Sequence, residues 1–159
     1  MTGETISTTA IVDAPAEAIF AVLADPATHA AIDGTGWVRE PLNGRHLTEA
    51  GQVFRMAMYN DKVPGGHYRM ANQVQVLDPP RAISWQPGME TGDGSLQIVG
   101  HIWRYDLAPA GPSGTEVILS YDWSAVPDSL RQRLPFPFPP FAPDHLTNSL
   151  GHLAEQVTG

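Results

Sequence analysis

His101, Trp103, Tyr105 and Leu107 fall on one face of an alternating run within "GHIWRYDLAPAGPSGTEVILSYDW", residues 100–123. Such a row sets an imidazole, an indole and a phenol side by side. It can be packed core or the wall of a pocket. Across the turn "APAGPSG", Val117, Leu119, Tyr121 and Trp123 share that face, which brings His101 near Tyr121 or Trp123 in an antiparallel register. The even positions Arg104, Asp106, Ser120 and Asp122 are polar, with Ile102 and Ile118 as exceptions, so the odd face is predicted to be concave. An unperturbed imidazole titrates near neutrality, which makes His101 the candidate general acid or base, or a ligand hydrogen-bonding group. A hydrogen-bonded core histidine is the alternative.

Other residues extend this candidate wall. Asn72 shares a predicted strand face with Tyr68, Met70, Val74 and Val76. A buried amide must find partners, so Asn72 either binds a ligand carbonyl or ties down backbone. Met56, Met58 and Met70 are adaptable fillers that suit a core or a wall tolerant of differently shaped ligands. Trp85 lies two residues after Ile83 on one face. Phe136, Phe138 and Phe141, in "LPFPFPPFAP", suit a rigid lid over a pocket mouth, since three exposed phenylalanines would be a liability. PxxP spacings (Pro137 to Pro140, Pro140 to Pro143) also admit an SH3-type ligand.

Several chemistries are excluded or unsupported. The chain has no cysteine, so disulfides, thiolate nucleophiles and Cys-ligated metal sites are ruled out. His145 and His152 are seven residues apart, a rise of about 10 Å along a helix, too far for two ligands of one metal. They read as solvated helix residues, and no metal or other cofactor is expected. HExxH, GxSxG and P-loop motifs are absent, and "PGGHY" and "GTGW" lack the following helix that a phosphate site needs. The net charge is −8, and Lys62, the only lysine, is joined by eight scattered arginines. That balance supplies neither the basic stripe of a nucleic-acid binder nor a polybasic membrane patch. Lys62 sits in a polar turn, a poor setting for Schiff-base chemistry. No basic, apolar leader and no membrane span are expected, and a cytoplasmic setting is the reading.

The elements that must position these side chains follow from periodicity. Residues 5–12, "TISTTAIV", read as a strand. In "DAPAEAIFAVLADPA", Asp13 is predicted to cap a helix with Pro15 in its first turn, and Ala16, Ile19, Phe20 and Leu23 make its apolar stripe. Asp25-Pro26 ends it and starts a second short helix to about Ile32. Beyond Gly34 and Gly36 the period becomes two. Residues 37–41, 53–60, 68–77, a segment with Ile83 and Trp85, and the two runs of the last hairpin read as six further strands. Arg55 and Arg69 fall on the opposite, solvent phase unless a bulge swaps the faces. A helical turn is predicted near Ser129 to Arg133 before the proline-rich stretch. Asp144 then caps a final helix, striped by Leu146, Leu150, Leu153 and Val157.

This order resembles the helix-grip fold of the SRPBCC superfamily, also called START-like or Bet v 1-like. The resemblance rests on "VDAPAEAIFAVLADPATHA", "VQVLDPPRAISWQ", "HIWRYDLAPAGPSGTEVILSYDW" and "DHLTNSLGHLAEQV". It is nearest to polyketide cyclase/dehydrase-related proteins. It implies an α+β chain, read as one domain over residues 1–159: a curved antiparallel sheet of about seven strands wraps a long C-terminal helix, with two short helices after the first strand. It also implies a cavity between sheet and helix for a small hydrophobic or aromatic molecule. Met56, Met58, Met70, Asn72, Trp85, His101, Trp103, Tyr105, Tyr121, Phe138, Leu146 and Leu150 would line that cavity. The alternative is a cyclase or dehydratase in which His101 helps enolise or dehydrate a polyketone. A homodimer is left open.

Overall fold

The computed structural model describes residues 4–33, 38–42, 46–60, 65–90, 93, 95–133 and 144–158. Strand β1 (Thr5–Val12) leads into helix α1 (Ala16–Leu23), a 3-10 turn (Pro26–Thr28) and helix α2 (His29–Ile32). Strands β2 (Val38–Pro41), β3 (Val53–Tyr59), β4 (His67–Asp78), β5 (Ala82–Glu90), β6 (Leu96–Ile98), β7 (Ile102–Ala110) and β8 (Gly114–Asp122) follow. Helices α3 (Asp128–Arg133) and α4 (His145–Thr158) complete the order. The sheet runs β1-β8-β7-β5-β4-β3-β2, seven strands on one path, and every pairing is antiparallel. The eighth strand, β6, is a three-residue addition on β5 that the alternation of "LQI" is too short to announce.

The helical layer packs on one face of the curled sheet. In α1 the predicted stripe is buried at Ile19, Phe20 and Leu23. Its start differs from the expectation that Asp13 is the cap. The helix begins at Ala16, two residues too late for an Asp13 side chain to serve its free N–H groups, and the Pro15 carbonyl accepts from Ala18 and Ile19. Asp13 instead accepts from the Ser113 hydroxyl at 3.3 Å, while buried Thr115 donates to the Ala14 carbonyl at 2.7 Å. The β1–α1 corner is thus tied to the start of β8. Asp25 does cap the next turn, accepting from the Ala27 N–H at 3.0 Å. On α4, Leu146, Leu150 and Leu153 are buried in the main core with Val12, Ile19, Leu23 and Val117, and Val157 packs against its edge. The seam between α4 and α2 is polar at one point, where the His152 ring Nδ1–H donates to the Ile32 carbonyl at 3.1 Å.

Two strand features control which side chains face inward. The last hairpin pairs Trp103 with Tyr121, Tyr105 with Leu119 and Leu107 with Val117, so the odd face is the buried one, as its pattern predicts. In β4 the register shifts between Val74 and Val76. Val74 opposite Trp85 faces the core, but beyond the shift Leu77 and Ile83 take the inner side. The expectation that Val76 shares the inner face with Val74 is therefore corrected: the extra residue swaps the faces for the rest of the strand. Arg55 and Arg69 lie before that shift and keep their outward phase, Arg55 in a 2.7 Å ion pair with Glu90.

Candidate functional site

The inner face carries two aromatic ends that meet at one cross-strand pair. Trp85 of β5 lies opposite Trp103 of β7. On the Trp85 side, His29 of α2 stacks on the indole with centroids 5.2 Å apart and stands edge-on to Phe54 at 5.4 Å. Phe54 is edge-on to Trp85 at 5.6 Å, and Tyr105 lies 6.2 Å from the same indole. His29 Nε2–H donates to the Leu23 carbonyl at 2.9 Å, which fixes its tautomer, because a carbonyl can only accept. Burial lowers its pKa from the ordinary value, against the raising effects of that bond and of Asp25 and Asp33.

On the Trp103 side, Tyr121 approaches Trp103 to 4.5 Å, Trp123 to 5.7 Å and His101 to 5.5 Å. His145, the first residue of α4, stands edge-on to Trp103 at 5.5 Å. His101 sits one residue before β7, so it enters the cluster from the loop and not from the strand face assigned to it from the alternation. Gly100 sets that entry. Its φ is +127°, and a Cβ there would lie 2.7 Å from the Ala125 carbonyl oxygen, so only glycine lets the chain pass this close. Arg131 of α3 fastens the rim by donating to the carbonyls of Trp123 at 2.8 Å and Val126 at 3.0 Å, and it pairs with Glu4 at 2.7 Å.

Burial dominates the electrostatics. It alone pushes His101 down to about 4, so near neutrality this imidazole is uncharged. His145 is also lowered by burial, and the neighbouring His152 adds to that, while Asp33 and Asp144 act the other way. Tyr68 is pushed up to about 12, first by burial and then by Asp33. Tyr105 is raised for the same two reasons and Tyr121 by burial, so all three phenols keep their protons. Asp33 follows α2, and its Oδ2 accepts from the Val38 N–H of β2 at 3.0 Å.

The remaining sequence-predicted residues are placed as follows. Met56, Leu146 and Leu150 are buried in the main core, and Met58, Trp85 and Trp103 pack against it half-buried. Met70 is half-buried opposite Met56. Asn72 is buried and donates to the Phe54 carbonyl at 3.3 Å, so its amide is engaged with the neighbouring strand. Phe138 and the whole proline-rich stretch, the candidate lid and PxxP ligand, lie outside the described residues, as does Lys62. The reading of His145 and His152 as solvated is corrected, because α4 turns both towards protein: His145 is buried and His152 half-buried. His29 and Asp33 are the residues that sequence reasoning did not weigh here, and His145 is one that it misread. Their spacing carries no motif, and the partners that give them meaning are distant in sequence. Among the described residues no three His, Asp or Glu side chains cluster as a metal site, and no helix is long and apolar enough to cross a membrane.

No family model matches the chain. An uncharacterised protein of Mycobacterium tuberculosis is 30% identical over 120 residues, which is 76% of this chain and 48% of that protein. The chain thus spans about half the length of the curated relatives it matches. A START superfamily protein from Mycobacterium smegmatis superposes with a TM-score of 0.64 at 18% identity, covering 98% of this chain and 97% of that one. A Nitrosomonas europaea protein gives 0.69 at 12% identity over 99% and 96% of the two chains. A Chromobacterium violaceum protein gives 0.66 at 20% identity over 99% of each. The shared feature is the fold: a curled antiparallel sheet gripping a C-terminal helix.

Proposed function

We propose that this START-like helix-grip chain encloses a small hydrophobic or aromatic molecule between the sheet and α4. The observation that carries the reading is the Trp103 end of the inner face. Three aromatic rings and two imidazoles converge there, one of the imidazoles from the first turn of α4. Aromatic rings with polar edges give a ligand both apolar contact and a few orienting hydrogen bonds. The likeness to a START superfamily protein supports the same reading at the level of fold. A cyclase or dehydratase acting through His101 is the weaker reading. A group held at about 4 is unprotonated at neutral pH and is a poor general acid there.

The test is a titration with 2-naphthol followed by tryptophan fluorescence and calorimetry, alongside mass spectrometry of small molecules extracted from the purified protein. Saturable one-to-one binding, weakened in Trp103→Ala while Arg69→Ala binds normally, is the expected result. Absence of both saturable binding and any co-purified molecule would overturn the reading.

A further inference from the structure

The described arginines lie away from the buried inner face. Seven of the eight arginines are described, and none is buried. Arg55 pairs with Glu90, Arg104 with Asp106 and Arg131 with Glu4, all on the outer face or rim. Asp33 stands beside β2, the edge strand of the sheet. The Val38 N–H that it holds belongs to a residue paired with Met58, which in turn lies opposite Tyr68. One helical turn earlier, His29 stacks against Trp85, and the adjacent Ile32 carbonyl is held by His152 of α4. These contacts put the carboxylate at the junction of α2, α4 and the inner ends of β2–β4.

Resting on the ligand-enclosing reading above, we propose that the site takes an uncharged, hydroxyl-bearing aromatic molecule and rejects carboxylates. A carboxylate leaving water for this face would meet no described arginine and would face the like charge of Asp33, so its desolvation would go uncompensated. A hydroxyl avoids that penalty and can both donate and accept among phenols and imidazoles. The protonation states agree. Burial first and Asp33 second raise Tyr68 and Tyr105, which stay protonated, and burial keeps His29 and His145 neutral despite the opposing pull of that carboxylate.

Three probes with one ring system test this at neutral pH: 2-naphthol, 2-naphthoate and 2-naphthylmethylamine, titrated by calorimetry at low and high salt. The expected order is naphthol tightest, with naphthoate weaker by on the order of tenfold or more. Asp33→Asn, checked for folding by its thermal transition, should narrow the naphthol–naphthoate gap, whereas Arg69→Ala should leave it unchanged. Naphthoate binding as tightly as naphthol, or the ammonium probe binding more tightly than both, would overturn the charge inference and leave the enclosing site standing. Failure of all three probes would instead overturn the enclosing site itself.

Discussion

The Trp85 end and the Trp103 end of the inner face use the same side-chain types for different purposes. Each sets a histidine among aromatic rings. At the first, His29 is tied to the Leu23 carbonyl at 2.9 Å and is flanked by Asp25 and Asp33, which partly offset its desolvation. It is the anchor of a short helix that has only four residues and could not stand alone. At the second, burial is the only cause found for the depression of His101, which reaches the cluster from a loop and not from a regular element. The first arrangement is what structural packing requires. The second brings an imidazole into an aromatic cluster from a loop, through an entry that Gly100 sets.

That difference can be broken most directly by truncation. Phe54 is 1% exposed and touches both His29 and Trp85. Phe54→Ala should destabilise the protein by about 3–5 kcal/mol, read from the denaturant midpoint. A loss under about 1 kcal/mol would mean that the first end is loosely packed and that the contrast drawn here is wrong.

The next effect is acid destabilisation from the second end. An exposed imidazole titrates near 6.5 and folded His101 near 4. As pH falls below 6.5 the unfolded chain takes up the proton first, so the folded state loses stability down to about pH 4, below which this group adds nothing more. The span corresponds to about 3 kcal/mol. His29 and His145 shift in the same direction and steepen the same slope. His101→Phe should remove its share, which is measured as the difference between variant and wild-type unfolding free energies across that pH window. Parallel curves would show that His101 is not desolvated.

Much of this fold was legible because burial on one face leaves a period in the sequence. The α1 stripe, the odd face of the last hairpin and the leucines of α4 all follow from spacing. The β4 bulge was not legible, because "VQVL" alternates equally well on either side of an extra residue. The candidate site was half legible. Trp103, Tyr105 and Tyr121 share a strand parity, but His29 and His145 lie on helices whose burial depends on what packs over them. A histidine is apolar enough for a core and polar enough for solvent, so its type alone does not decide. Asp33 acquires a role only when β2 and β4 are brought beside it, and no local pattern encodes that meeting.

The smallest expected effect separates the fastenings of the two ends. Outside the first, Arg55 and Glu90 form an ion pair with side chains 39% and 44% exposed, so solvent screens it. Arg55→Met should change stability by less than about 1 kcal/mol. Beside the second, Arg131 is 27% exposed and adds two backbone carbonyls to its carboxylate partner. Arg131→Met should cost more, about 1–2 kcal/mol, because the Trp123 and Val126 carbonyls lose a charged donor. It should also speed amide exchange at the end of β8 and weaken 2-naphthol binding, while Arg55→Met leaves both unchanged. Equal effects of the two substitutions would mean that the rim of the second end is as dispensable as an outer-face ion pair, and that the aromatic cluster holds its shape without the latch.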